Sequence, residues 1–125
     1  MKSRILAVVL GSCALLSPQM AAAQEIGDWV LSPWRDSDYY FPGVIVAASG
    51  AQVTVRFDDG TKESRLASDV VPFSWQVGSM VECQWKDGQW YDAEIRWLSD
   101  DGYTMQVRYE DGVVQRTNTG KCRST

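Results

Sequence analysis

An internal duplication constrains this chain more than any other feature of its 125 residues. Thr54-Val55-Arg56-Phe57-Asp58-Asp59-Gly60 recurs as Gln106-Val107-Arg108-Tyr109-Glu110-Asp111-Gly112, 52 positions on. Upstream, Gly27, Val30 and Trp34 match Gly78, Val81 and Trp85 at an offset of 51, and Phe41-Pro42-Gly43-Val44-Ile45 matches Tyr91-Asp92-Ala93-Glu94-Ile95 at an offset of 50. The offset drifts only inside stretches rich in Gly, Asp and Ser, where loops accept insertions. A period near 50 residues means that both halves fold alike. The units run over residues 24–73 and 77–125, joined by a short linker at 74–76.

Each unit reads as strands. Val53, Val55 and Phe57 alternate with Thr54 and Arg56, and Met105, Val107 and Tyr109 alternate with Gln106 and Arg108, the period of a half-buried strand. Turn signals separate the runs, among them Ser49-Gly50, Asp59-Gly60, Asp87-Gly88, Asp101-Gly102 and Asp111-Gly112. No stretch after residue 23 carries a helical apolar stripe. Four or five short strands in about 50 residues suit a small, strongly bent barrel. A lone unit of that size buries little surface, so the two are expected to pack together, with Phe73 and Trp75 at the junction. The predicted class is all-β, two five-stranded barrels in tandem.

Composition then removes whole classes of function. The chain has no histidine, which excludes a Ser-His-Asp triad, a Cys-His pair and an imidazole general base. Three cysteines are too few for a Cys₄ metal site. The acids read as solvated turns, with neither calcium-loop spacing nor a glycosidase pair. No enzyme activity, cofactor or metal is expected.

The first 23 residues read as a secretory signal peptide: Lys2 and Arg4, an apolar run from Ile5 to Leu16, Pro18, then Ala21-Ala22-Ala23 before a cut ahead of Gln24. The apolar run is shorter than the roughly 20 residues a membrane span needs. An alternative is a lipobox, Leu10-Gly11-Ser12-Cys13, with lipidation of Cys13. Loss of the segment takes the basic count from 12 to 10 against 16 acids, a net charge of −6. Such a chain is not drawn to nucleic acid or to anionic membranes. Cys83 and Cys122 remain, and an even pair in an exported protein, periplasmic or secreted, favours a disulfide.

The ordered set G-x-x-V-x-x-x-W, an Asp-rich turn, aromatic-x-[GA]-x-I and V-R-[FY]-x-D-G, occurring twice, resembles a tandem Tudor or Agenet protein. The resemblance implies SH3-like barrels and, at the barrel rim, an aromatic cage with one acid that holds a methylated ammonium. In the first repeat the cage positions are Trp34, Phe41, Phe57 and Asp59, with Tyr39 and Tyr40 nearby. In the second they are Trp85, Tyr91, Tyr109 and Asp111. The resemblance also brings together the first and last strands of a barrel, so a Cys83–Cys122 bridge is expected there. Ser32 and a position near Val70 stand at the matching places of the first repeat, making the bridge private to the second. The implied partner is a peptide or protein bearing a cationic or methylated side chain. The chemistry suits the residues: a methylated ammonium is a cation with an apolar skin, and ring faces attract it. The competing expectation is a structural or assembly module of the cell envelope whose aromatics are only barrel core, since barrel ends need covering. The Asp-Gly pairs are likewise explained by turns alone.

Overall fold

The computed structural model describes residues 24–125; the leader reading of residues 1–23, with its cleavage point and Cys13, lies outside them. The first repeat forms β1 (Trp29–Pro33), β2 (Tyr40–Ser49), β3 (Gln52–Phe57), β4 (Lys62–Leu66) and β5 (Val71–Pro72), in the order β4-β3-β2-β1-β5. The second forms β6 (Met80–Gln84), β7 (Trp90–Leu98), β8 (Thr104–Tyr109), β9 (Val114–Asn118) and β10 (Cys122–Arg123), in the order β10-β6-β7-β8-β9. The two orders are the same, and every pairing is antiparallel. No α-helix occurs among the described residues.

The repeat extends to irregularities. Register shifts fall between Ile45 and Ala47 in β2 and between Ile95 and Trp97 in β7. Such bulges bend a long strand and raise its twist, which lets each sheet curl into a barrel. Gly60 and Gly112 close the β3–β4 and β8–β9 turns at φ of 87° and 89°, a region in which a side chain is strained. Alternation along β3 and β8 buries Val53, Val55 and Phe57 in one core and Met105, Val107 and Tyr109 in the other. Each fully buried aliphatic side chain contributes about 1.5–3 kcal/mol.

The barrels depart from symmetry where they touch. Leu31, on the outward face of β1, is 4% exposed and belongs to the core of the second barrel, together with Trp75 at 7%. At the place matching Leu31, the second repeat has Glu82, so β1 is buried on both faces and β6 on one. Phe73 and Tyr40 pack on the same core. Trp29 meets the ring of Tyr103, ahead of β8, at 4.9 Å between centroids. Edge-to-face pairs of this kind contribute about 0.5–1.5 kcal/mol beyond their burial.

Two further contacts fix the junction. Tyr40 and Ser124 exchange backbone hydrogen bonds of 2.7 and 2.9 Å, which ties the end of the second repeat to the start of β2. Gly120, in the 3₁₀ turn Thr119–Lys121, lies so close to Asp58 of the β3–β4 turn that a Cβ there would overlap the Asp58 side chain.

Candidate functional site

The structure brings the rings of each predicted set together as an aromatic cluster, but the two clusters are not equivalent. In the second repeat, Trp85 follows β6 directly, Tyr91 is the second residue of β7, Tyr109 ends β8 and Asp111 sits in the β8–β9 turn. A tight turn places Trp85: its N–H donates to Gln89 O at 2.9 Å, and Gly88 N donates back to Trp85 O at 2.9 Å. The ring of Tyr109 stands edge-on to Trp85 at 5.4 Å and to Tyr91 at 6.4 Å. These three rings and Asp111 line one open cleft of about 630 Å³, within the usual size of ligand sites. Tyr91 is 44% exposed and Tyr109 7%, so the cage has a buried floor and an accessible wall.

Hydrogen bonds fix the phenols. Tyr91 Oη donates to Asp87 Oδ2 at 2.7 Å and Tyr109 Oη to Gln115 Oε1 at 2.6 Å. The bond to Asp87 raises the Tyr91 phenol above its ordinary value, and burial, followed by the Asp87 charge, raises that of Tyr109. Both shifts favour the neutral phenol. Glu82, Asp87, Asp92 and Glu110 also line the cleft, and among the described residues no lysine or arginine does. Of these, Glu82 is paired with Arg123 at 3.0 Å. Lys86 hangs over the Trp85 ring at 5.1 Å from an exposed side chain.

The first rim uses the same positions with different surroundings. Trp34 stands edge-on to Phe41 at 5.5 Å and to Phe57 at 6.4 Å. Together with Asp59 they line a cleft of about 360 Å³. Here Thr61 stands where the second repeat has Val113. Its hydroxyl accepts from Trp34 Nε1 at 3.2 Å and donates to Asp59 Oδ1 at 2.7 Å, and its N–H reaches the same oxygen at 3.0 Å. Those bonds hold the Asp59 carboxyl below its ordinary value. The corresponding Asp111 accepts the Val113 N–H at 3.0 Å, and no hydrogen bond tethers the Trp85 indole among the described residues. Phe57, lacking a hydroxyl, leaves Glu63 to bind the Arg35 N–H at 2.9 Å. Arg35, held at φ 55°, then lays its guanidinium over Trp34 at 4.4 Å.

Several residues at this rim were not among those the cage pattern selects. Trp90, from the second repeat, packs edge-on to Phe41 at 5.9 Å and lines both clefts. Gln84 and Lys121 of the second repeat also line the first cleft, as does Asp58. Tyr39 points elsewhere: Arg123 lies 3.6 Å from its ring centre and 4.0 Å from that of Trp90. The junction thus contains a two-ring clamp already filled by the chain's own cation. One sequence signal bears on this. Trp90 aligns with Tyr40, so an aromatic precedes the β2-type cage ring in both repeats.

Cys83 and Cys122 face each other across the β6–β10 pair with Cα atoms 4.0 Å apart, and their sulfurs are bonded. The bond anchors the short strand that carries Arg123.

Two barrels of this strand order, joined in tandem, share the fold of a solved pair of tandem tudor domains. The tandem tudor domains of Crb2 align with a TM-score of 0.57 and 14% identity, over 79% of this chain and 78% of that one. The AGD34 unit of Arabidopsis thaliana AGDP1 aligns with a TM-score of 0.38 and 17% identity, over 82% and 83%. Tandem Agenet domain 3-4 of ADCP1 gives 0.36 and 18%, over 82% and 81%. No family model matches the chain. At such identities the likeness is one of fold, and the chemistry has to be read from the rims. Among the described residues, no helix is long and apolar enough to cross a membrane.

Proposed function

We propose that the chain is a non-enzymatic binding module whose second rim takes a cationic, N-methylated side chain presented on a peptide or protein. The observation that carries this reading is the cleft of Trp85, Tyr91 and Tyr109: three converging rings, a lining of carboxylates and no base. A methylated ammonium loses little by leaving water, and each ring face is worth about 0.5–2 kcal/mol to it. A carboxylate such as Asp111 adds Coulomb attraction. The sum is a few kcal/mol, a dissociation constant on the order of mM to μM for an isolated side chain. The rings, more than a lone carboxylate, would set the preference for methylation.

The first rim is a weaker cation site on the same grounds. Arg35 covers Trp34 more closely than Lys86 covers Trp85, at 4.4 against 5.1 Å, Lys121 adds positive charge within the lining, and Thr61 commits Asp59. Against the reading in which all aromatics are core stand the half-buried Trp85 and the exposed Tyr91. The proposed location is periplasmic or extracellular, supported by the N-terminal pattern and by a disulfide that suits an oxidising compartment.

Titrating a trimethyl-lysine peptide into residues 24–125 while following tryptophan fluorescence tests the function. Trp85→Ala should weaken binding at least 30-fold, the equivalent of about 2 kcal/mol, and Trp34→Ala less than threefold. Absence of any response at tens of millimolar peptide, or binding indifferent to Trp85→Ala, refutes it.

A further inference from the structure

The linings of the two clefts have one residue in common. Trp90 lines both, and Tyr91 follows it in β7. Its indole is held from two directions, by Phe41 edge-on at 5.9 Å and by Arg123 stacked at 4.0 Å. Arg123 is in turn held by Glu82 at 3.0 Å and by the ring of Tyr39. Trp90 therefore gives the two pockets a common wall held in place by Phe41 and Arg123, so an extended ligand crossing it would touch both.

The pockets differ in what they can accept. The second presents carboxylates without a base in its lining. The first is walled by Trp34, Phe41, Phe57 and Trp90, and its acids Asp58 and Asp59 are opposed by Lys121 within the lining and by Arg35 above Trp34. A second cation entering there would meet Lys121 in the lining, and Arg35 lies over Trp34 at 4.4 Å, closer than Lys86 lies over Trp85 at 5.1 Å. A bulky apolar side chain meets no charge repulsion and buries its surface against Phe41, Phe57 and Trp90 and the part of Trp34 that Arg35 leaves open, at about 25 cal/mol per Å² of area removed from water.

We infer that the two rims act as one bipartite groove that reads two different residues of a single extended segment: a cationic side chain in the cleft of Trp85, Tyr91 and Tyr109, and a bulky apolar side chain in the cleft of Trp34, Phe41 and Phe57, on either side of Trp90. The inference rests on the proposed cation site and names what its ligand carries beside the cation. Linking the two contacts on one chain makes the second an intramolecular event, which is how weak sites reach useful affinity. The partner is thus a peptide or protein segment with a cation and a large apolar residue a few positions apart, and a polycationic tail is a poor substitute.

The test uses three sets of capped peptides against residues 24–125, measured by calorimetry: a parent with one trimethyl-lysine among glycines, a set with one phenylalanine placed one to four residues to either side, and a set with a second trimethyl-lysine at those positions. At least one phenylalanine peptide should bind tenfold or more tightly than the parent, and no doubly cationic peptide should gain more than threefold. Lys121→Glu, a change at an exposed residue of the first cleft's lining, should raise the gain from a second cation to fivefold or more. Phe41→Ala should erase the phenylalanine gain; if that variant unfolds, the Lys121→Glu comparison still decides. If the parent binds through Trp85 and no phenylalanine position improves it, the bipartite groove is wrong and the cation site stands. A second cation that gains tenfold in the unmodified chain also overturns it. If the parent itself fails to bind, both readings fall.

Discussion

The two rims carry the same pattern of aromatic, aromatic, aromatic and acid, yet their chemistry diverges. In the second, the phenols are tied back to Asp87 and Gln115, the Trp85 indole has no tether among the described residues, and carboxylates line the cleft. In the first, Thr61 knits Trp34 to Asp59, Arg35 covers a ring face, and the other barrel contributes Trp90 and Lys121. Residues outside the cage pattern therefore decide which rim suits a cation. A single exchange, Thr61 against Val113, accounts for much of the difference in how ring and acid are held.

The largest expected effect breaks the symmetry of stability. Only the second barrel has a disulfide, closing a loop across a sequence separation of 39, and a loop near that length is worth about 3–4 kcal/mol. Cys122→Ser should lower unfolding stability in urea by about that amount, with loss of the second cage preceding loss of the first. A shift below about 1 kcal/mol would mean that the Tyr40–Ser124 bridge and the aromatic junction hold β10 without it.

A smaller change addresses the junction. Gly120→Ala forces a Cβ against Asp58, and overpacking of this kind costs about 1–3 kcal/mol. The first cleft, which borrows Trp90 and Lys121, should be the one disturbed. Amide shifts confined to the second rim would contradict the packing described.

Smaller still is the exchange itself. Thr61→Val removes the bonds to Trp34 and Asp59 and should cost about 1 kcal/mol. Val113→Ala removes no side-chain hydrogen bond from an exposed position and should stay within about 0.5 kcal/mol. Equal losses in thermal melts would remove the distinction between the rims.

The smallest effect is on pH. The Asp59 carboxyl lies below 3.8 because of the two bonds from Thr61. Its contribution to stability is complete above the unfolded value of 3.8 and is lost as pH falls from there through the lowered folded value. Carboxyl NMR should show Asp59 titrating below 3.8 and moving back up toward it in Thr61→Val.

Much of this architecture is legible in the amino-acid order because it is local. Period-two alternation marks β3 and β8, Asp-Gly marks the turns, and the repeat offsets bring Trp34, Phe41 and Phe57, or Trp85, Tyr91 and Tyr109, to equivalent places. What arises between the barrels is less legible. Trp90 as a shared wall, Lys121 beside the first cage and Arg123 between Tyr39 and Trp90 depend on how two folded units dock, which no periodicity encodes. One sequence trace of that docking exists: Leu31 occupies the place where the second repeat has Glu82, an apolar residue on a strand face that would otherwise meet water. Likewise the drift from an offset of 51 to one of 50 marks the longer β1–β2 loop of the first repeat. That loop carries Arg35 and Tyr39, and it alters the first rim.

The central claim, that a cation enters the second rim in preference to the first, is tested most directly by the six indole N–H signals of the six tryptophans. Titration with a trimethyl-lysine peptide, followed by ¹H–¹⁵N correlation spectra, should move the Trp85 signal most and Trp90 next, with Trp34 nearly still. Larger movement at Trp34 than at Trp85, or equal movement at both, would contradict the account.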